Sequence, residues 1–251
     1  MRLKRFFTGL KQDNFMAKIS KFKNIVKKTI GREKYGKILN TKGGSWVHDK
    51  LHKGKSSSRD FLLQKIPKKS EGVEIGVHEG NFSERILEIV LPKKLYLIDP
   101  WKLEQDEVYD ESYYGKKKIV NQNIMDERFH NVRKRFEKEI KNNQIIIKRG
   151  YSEEILKDFH NDSLDWVYID GNHLYEFVKK DLELCFMKIK NGGYICGDDY
   201  NDGGWWKGGV KKAVDEFVSS NNKIKVIEIK ADQFILQKKA NEKNYLSQSN
   251  L

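Results

Sequence analysis

From Glu71 onward the chain alternates between short apolar runs and longer stretches where apolar residues recur every three or four positions. Val73–Ile75, Leu95–Ile98, Ile145–Lys148, Trp166–Ile169 and Tyr194–Cys196 are apolar on successive positions, as parallel strands buried on both faces are. Between them the spacing predicts helices over Phe82–Val90, about Gln122–Lys141, Glu153–Phe159, Leu174–Ile189 and about Lys207–Ser219. In the second of these, Phe129, Val132, Phe136 and Ile140 share one face. Repeated βα units of this kind build a doubly wound parallel sheet. The end of the chain departs from that plan. Lys225–Ile229 and Gln233–Gln237 are separated only by Lys230, Ala231 and Asp232, too few residues for a crossover, so these strands must pair as an antiparallel hairpin. The predicted domain covers residues 58–238, an α/β fold with a mostly parallel sheet closed by a C-terminal hairpin.

Residues 1–57 form a basic N-terminal extension, and residues 239–251 a polar tail. In the extension Phe15, Ile19, Phe22 and Val26 follow helical spacing with Lys18, Lys21, Lys27 and Lys28 between them. Such a helix suits residues 1–30 either to an anionic membrane surface or to packing on the body or on a second copy of the chain. The formal net charge of +13 changes the picture only through its placement. Residues 1–57 hold 16 Lys and Arg against three Asp and Glu, while the rest holds 33 of each sign. A neutral body with a charged leader argues against specific nucleic-acid binding. No apolar run approaches 18 residues, the N-terminus lacks the apolar stretch of a secretory signal, and Cys185 and Cys196 offer neither a disulfide framework nor a zinc site. The expected setting is cytoplasmic, with the leader available for peripheral contact at the inner membrane face.

The chemistry-bearing residues gather at strand ends. The first strand runs through Glu74 into Gly76 and Gly80 before a helix, and glycines at such a turn let backbone approach a ligand. The second ends at Asp99, where a carboxylate can accept bonds from ribose hydroxyls or cap the next segment. The third leads to Ser152, suited to a helix cap, an adenine edge, or both. The fourth and fifth strands end in Asp170 and in Asp198-Asp199, with His173 three residues after Asp170. Three carboxylates on one rim repel unless a cation neutralises them; oxygen donors without Cys suit Mg²⁺, and His173 is a candidate general base. The alternative is that Asp198 caps a turn and His173 is a solvated loop residue. Beyond them, Trp205 and Trp206 lie among glycines as an acceptor wall or a loop anchor, and the long link Trp101–Lys118 with Tyr109, Tyr113 and Tyr114 reads as a lid. His48 and His52 lack a zincin glutamate and read as structural or lid residues.

The motifs Val73-Glu-Ile-Gly-Val-His-Glu-Gly80, Leu97-Ile-Asp99, Val167-Tyr-Ile-Asp-Gly-Asn-His173 followed by Lys180-Asp181, and Gly192-Gly-Tyr-Ile-Cys-Gly-Asp-Asp-Tyr200 resemble those of class I S-adenosylmethionine-dependent methyltransferases. Within that class the chain most resembles the macrocin O-methyltransferase branch and related sugar methyltransferases, over about residues 58–238. The resemblance implies a Rossmann-like fold with Glu74, Gly76 and Gly80 beside the methionine part of the cofactor, Asp99 on the ribose and Ser152 near the adenine. It implies a divalent metal, Mg²⁺ by its chemistry, on Asp170, Asp198 and Asp199. His173 would take the acceptor proton, and Asp170 counts both with it at the reacting centre and among the cofactor contacts. The related catechol-type enzymes carry Lys where His173 stands and Asn where Asp199 stands.

The leading expectation is a metal-assisted O-methyltransferase acting on a hydroxyl of a sugar, in a surface glycan or a secondary metabolite. A small-molecule or glycan acceptor is the implied partner, and a homo-oligomer is compatible with the leader. A nucleotide-sugar glycosyltransferase using Asp198, Asp199 and Asp202 is the second reading. An RNA-binding or RNA-modifying protein is the third.

Overall fold

The computed structural model describes residues 59–112, 114 and 120–240. The basic extension with His48 and His52, Tyr113, residues 115–119 and residues 241–251 lie outside the described residues, and so do the expectations placed on them. Strands β1 (Glu71–Ile75), β2 (Lys94–Asp99), β3 (Ile145–Arg149), β4 (Leu164–Ile169), β5 (Ile189–Gly197), β6 (Ile224–Lys230) and β7 (Gln233–Lys238) form one sheet in the order β3-β2-β1-β4-β5-β7-β6. The first five in that order pair in parallel, and β7 runs antiparallel to both β5 and β6. The hairpin is tighter than its sequence suggests. Lys230 pairs with Gln233, leaving Ala231 and Asp232 as a two-residue turn with both φ angles positive, which matches the twist of the strands it joins.

Both sheet faces are covered. The helix over residues 59–65 (α1), α2 (Asn81–Ile89) and α3 (Gln122–Arg135) bury Leu62, Leu63, Ile86, Met125 and Val132 against Leu95, Leu97, Trp166 and Tyr168. A short α4 (Glu137–Lys141) follows α3. The opposite face takes α5 (Ser152–Ile155), α6 (Tyr175–Lys188) and α7 (Gly209–Ser220), with Val178, Leu182, Ala213 and Val214 packed on Val73, Val167, Ile169 and Ile195. The alternation of Trp166 and Tyr168 with Val167 and Ile169 shows why β4 reads as continuously apolar: both of its faces are core.

The single helix expected over Gln122–Lys141 is broken. Phe136 leaves helical geometry at φ −106°, ψ 24° between α3 and α4, while its ring stays buried, so the apolar stripe continues across an interrupted backbone. The segment expected as one helix over Glu153–Phe159 is likewise α5 followed by a 3₁₀ turn over Leu156–Asp158.

Register delivers the functional residues to one rim. Ile98, Ile75, Ile169 and Gly197 lie in a row across β2, β1, β4 and β5. The next residue on each strand is Asp99, Gly76, Asp170 and Asp198. Backbone bonds hold that second row: Gly76 N–H to Ile98 O at 2.9 Å, Asp170 N–H to Ile75 O at 2.8 Å and Asp198 N–H to Ile169 O at 3.1 Å. The carboxyl ends of these strands form the crevice where open α/β sheets bind ligands.

Candidate active site

The turn after β1 is shaped by close approach. Gly76 has φ 88°, and a Cβ there would lie 2.0 Å from the Asp170 carbonyl oxygen. The β1 and β4 loops therefore touch backbone to backbone, which only glycine allows. Gly80, with φ 76°, is the left-handed N-cap of α2, and the Phe136 ring fills the place of its missing side chain. Glu74, just before this turn, is fully enclosed: the Ser83 hydroxyl donates to it at 2.5 Å, and burial pushes its carboxyl up to about 8. Through that bond Glu74 joins β1 to α2.

Asp99 is 1% exposed and carries four hydrogen bonds. Its Oδ2 accepts from Val77 N–H and His78 N–H, each at 2.9 Å. Its Oδ1 accepts from Trp101 N–H at 2.7 Å and from the Tyr114 hydroxyl at 2.6 Å. Four donors fill the acceptor capacity of a carboxylate. The carboxylate fixes the glycine turn of β1, and Tyr114 from the Trp101–Lys118 link closes over it. Beside it, past the ends of β2 and β3, lies a cleft of about 500 Å³ lined by Pro100, Lys102, Arg149, Tyr151 and Glu154.

The Ser152 side chain does not cap the helix that follows it. Tyr151 is the N-cap of α5, and the Ser152 hydroxyl donates to Asp181 on α6 at 2.6 Å. Burial pushes the Asp181 carboxyl up to about 7, against the opposing effect of that bond.

The carboxylate cluster contains two cations of the chain itself. Arg59, on α1, donates from Nη1 to Asp170 Oδ2 at 2.8 Å and pairs through Nη2 with Asp198 Oδ2. His173 Nε2 lies 2.9 Å from Asp199 Oδ2 and 3.4 Å from Asp170 Oδ1. Burial opposes charge on His173, but the bonds to Asp170 and Asp199 outweigh it and raise the imidazole to about 9. Burial likewise pushes Asp170 up, yet Arg59 and His173 together hold its carboxyl below the usual range. Asp198 is enclosed further: its Oδ1 accepts from Asp199 N–H at 2.8 Å and from the Gln233 amide of β7.

Of the carboxylates expected to hold a metal, Asp170 and Asp199 stand together with His173. One ligand atom from each lies within 4.8 Å of the others, which fits a divalent ion. Asp198 is not in that group and is engaged by Arg59 and Gln233. Asp202 is 87% exposed and paired with Lys211 at 3.0 Å, so the grouping of Asp198, Asp199 and Asp202 is not assembled. Arg59 and Gln233 are site residues that sequence reasoning missed, and Tyr114 was named there only as part of a lid; the surplus of carboxylates signalled a cation without saying which.

An aromatic wall stands over His173. Trp206 packs on the imidazole at 5.0 Å between centroids and Trp205 meets it edge-on at 5.9 Å. Trp205 also touches Tyr109 of the Trp101–Lys118 link at 5.4 Å, and the Tyr109 hydroxyl accepts from the Asn172 amide at 2.7 Å. The two loops thus meet above the cluster.

The family model described as a methyltransferase domain matches residues 73–200, which run from β1 through the Asp198-Asp199 turn. An uncharacterised protein of Acanthamoeba polyphaga mimivirus is 29% identical over 135 residues, 53% of this chain and 52% of that protein. The chain thus spans about half the length of that curated relative. Among solved structures, the O-methyltransferase of Bacillus cereus bound to S-adenosylhomocysteine is similar with a TM-score of 0.50 at 12% identity, over 74% of this chain and 80% of that one. A candidate rRNA methylase of Clostridium thermocellum gives 0.51 at 15% identity, over 74% and 96%. At such identities the structures show a shared fold, and the family model adds the motif-bearing rim. By that match the chain belongs to the methyltransferase-domain family.

Proposed function

We propose that this chain is an S-adenosylmethionine-dependent O-methyltransferase of the macrocin-like, sugar-modifying branch. The observation that carries the reading is the grouping of Asp170, His173 and Asp199 beneath Trp205 and Trp206, on the rim that the glycine turn and Asp99 share. The nucleoside would occupy the cleft beside Asp99 and Tyr151, and the acceptor would enter between the cluster and the aromatic wall. The cofactor supplies a methyl group on a sulfonium, an electrophile that needs an aligned oxygen in line with it.

The chain's own residues meet the remaining demands. Trp205 and Trp206 offer apolar faces to the C–H face of a sugar and exclude water, while the cluster below offers acceptors for its hydroxyls. His173 is the residue placed to take the acceptor proton; because Asp170 and Asp199 raise the imidazole to about 9, its neutral, proton-accepting form grows as the pH rises toward that value. Asp170, His173 and Asp199 would hold a divalent ion, whose chemistry would be to lower the acceptor hydroxyl's pKa. With Nε2 on an ion, His173 would serve as a ligand and leave the proton to solvent.

The test is transfer of radiolabelled methyl from S-adenosylmethionine to a panel of glycosides and sugar-bearing metabolites, with and without Mg²⁺ or a chelator. Labelling of a sugar hydroxyl that His173→Ala abolishes supports the reading. Labelling confined to RNA or to nitrogen acceptors would overturn it.

A further inference from the structure

The carboxylates on this rim need positive charge, and the chain provides it from a residue far away in sequence. Arg59 reaches Asp170 with one guanidinium nitrogen and Asp198 with another, so a single planar fork bridges the ends of β4 and β5. Its position is built in. Leu62 and Leu63, one turn further along α1, are fully buried, and the guanidinium carbon lies 5.3 Å from the centroid of the Phe82 ring. Phe82 in turn packs on Tyr168 at 4.3 Å. Packing fixes α1, and an aromatic shelf supports the fork.

Donors already cover the four oxygens of Asp170 and Asp198. The Oδ2 atoms of both carry Arg59, Asp170 Oδ1 faces His173, and Asp198 Oδ1 carries Asp199 N–H and the Gln233 amide. A divalent ion bound to Asp170 needs lone pairs on the same carboxylate, and it meets the guanidinium charge at close range. In this cluster three carboxylates face one guanidinium and one imidazole.

We infer that Arg59 is the resident counter-cation of the Asp170–Asp198 pair and competes with a divalent ion for this cluster, so that occupancy by metal requires its displacement. The inference rests on the geometry of Arg59 and on the metal-binding part of the proposed function. Removing the guanidinium leaves His173 as the one cation beside Asp170 and only neutral donors on Asp198, a loss of positive charge that a bound divalent ion makes good.

The experiment is a Mn²⁺ titration of the full chain, free Mn²⁺ being read by electron paramagnetic resonance, on the wild type, Arg59→Gln and Arg59→Lys. S-adenosylhomocysteine binding is measured by calorimetry on the same preparations. The glutamine variant is expected to bind Mn²⁺ at least tenfold more tightly than the wild type. The lysine variant, with its charge but no fork, should fall between the two, and it carries the test if the glutamine variant does not fold. Equal affinities in wild type and folded variant would overturn the competition, and so would no Mn²⁺ binding by any of them. S-adenosylhomocysteine binding with unchanged Mn²⁺ affinity would refute the inference alone, whereas its absence from every folded sample would refute the proposed function.

Discussion

The Tyr114 hydroxyl donates to Asp99 Oδ1 at 2.6 Å and completes the four-donor shell of a carboxylate at the centre of the rim. Any ribose hydroxyl that uses Asp99 as its acceptor must therefore replace Tyr114 or share with it. Tyr114→Phe leaves one lone pair open at the cost of a single hydrogen bond. We predict that the variant binds S-adenosylhomocysteine more tightly by about 1 kcal/mol, roughly fivefold. Calorimetry on the two proteins measures it, and weaker binding by the variant would make Tyr114 a contributor to the site.

Gly76→Ala should be among the most damaging single changes on the rim. The new methyl meets the Asp170 carbonyl oxygen, a backbone atom that can shift only with β4, and the residue must hold φ 88°. A loss of roughly 3 kcal/mol or more is expected from clash and strain together. Urea unfolding gives the value, and a cost below about 1 kcal/mol would show that the loops are not in contact.

The burial of Asp181 leads to a pH-dependent stability. Burial raises the folded-state pKa of Asp181 to about 7, above the ordinary value near 4 of the unfolded chain. Between those values the native state keeps a proton that the unfolded state releases. Asp181 therefore favours folding most below about pH 4, and that contribution is lost as the pH rises to about 7. Asp181→Asn removes this dependence. Its stability relative to wild type should rise between pH 5 and pH 8, by on the order of 2–3 kcal/mol at most. Chemical denaturation at several pH values reads the difference, and a constant offset would contradict it.

Trp205→Ala tests the aromatic wall. Trp205 touches Tyr109, His173 and Trp206, whereas Asp99 is held by Val77, His78, Trp101 and Tyr114. On the proposed reading, KM for a sugar acceptor rises about tenfold while S-adenosylhomocysteine affinity stays within twofold, since the lost contact serves acceptor binding. Steady-state kinetics with calorimetry separates the two. A parallel loss of both would make Trp205 a structural anchor of its loop.

The parts of this molecule that sequence made legible are those governed by local pattern. β1, β2 and β4 were visible because both sheet faces are core, and the β6–β7 hairpin because the link is too short for anything else. The break at Phe136 was not visible, since the apolar stripe runs through it unchanged. The rim was legible only as a set of strand ends. Arg59 meets Asp170 across 111 residues, and Ser152 meets Asp181 across 29, through tertiary contacts that leave no periodicity in the chain. Ser152 illustrates the point: its place at a helix start suggested a cap, and a buried carboxyl on another helix takes the hydroxyl instead.

The central claim is a cofactor site on this rim, and the most direct test is calorimetric titration of S-adenosylhomocysteine into the full chain, with Asp99→Ala alongside. The account predicts binding in the micromolar range that the variant loses. No heat from a wild-type protein shown to be folded would contradict it.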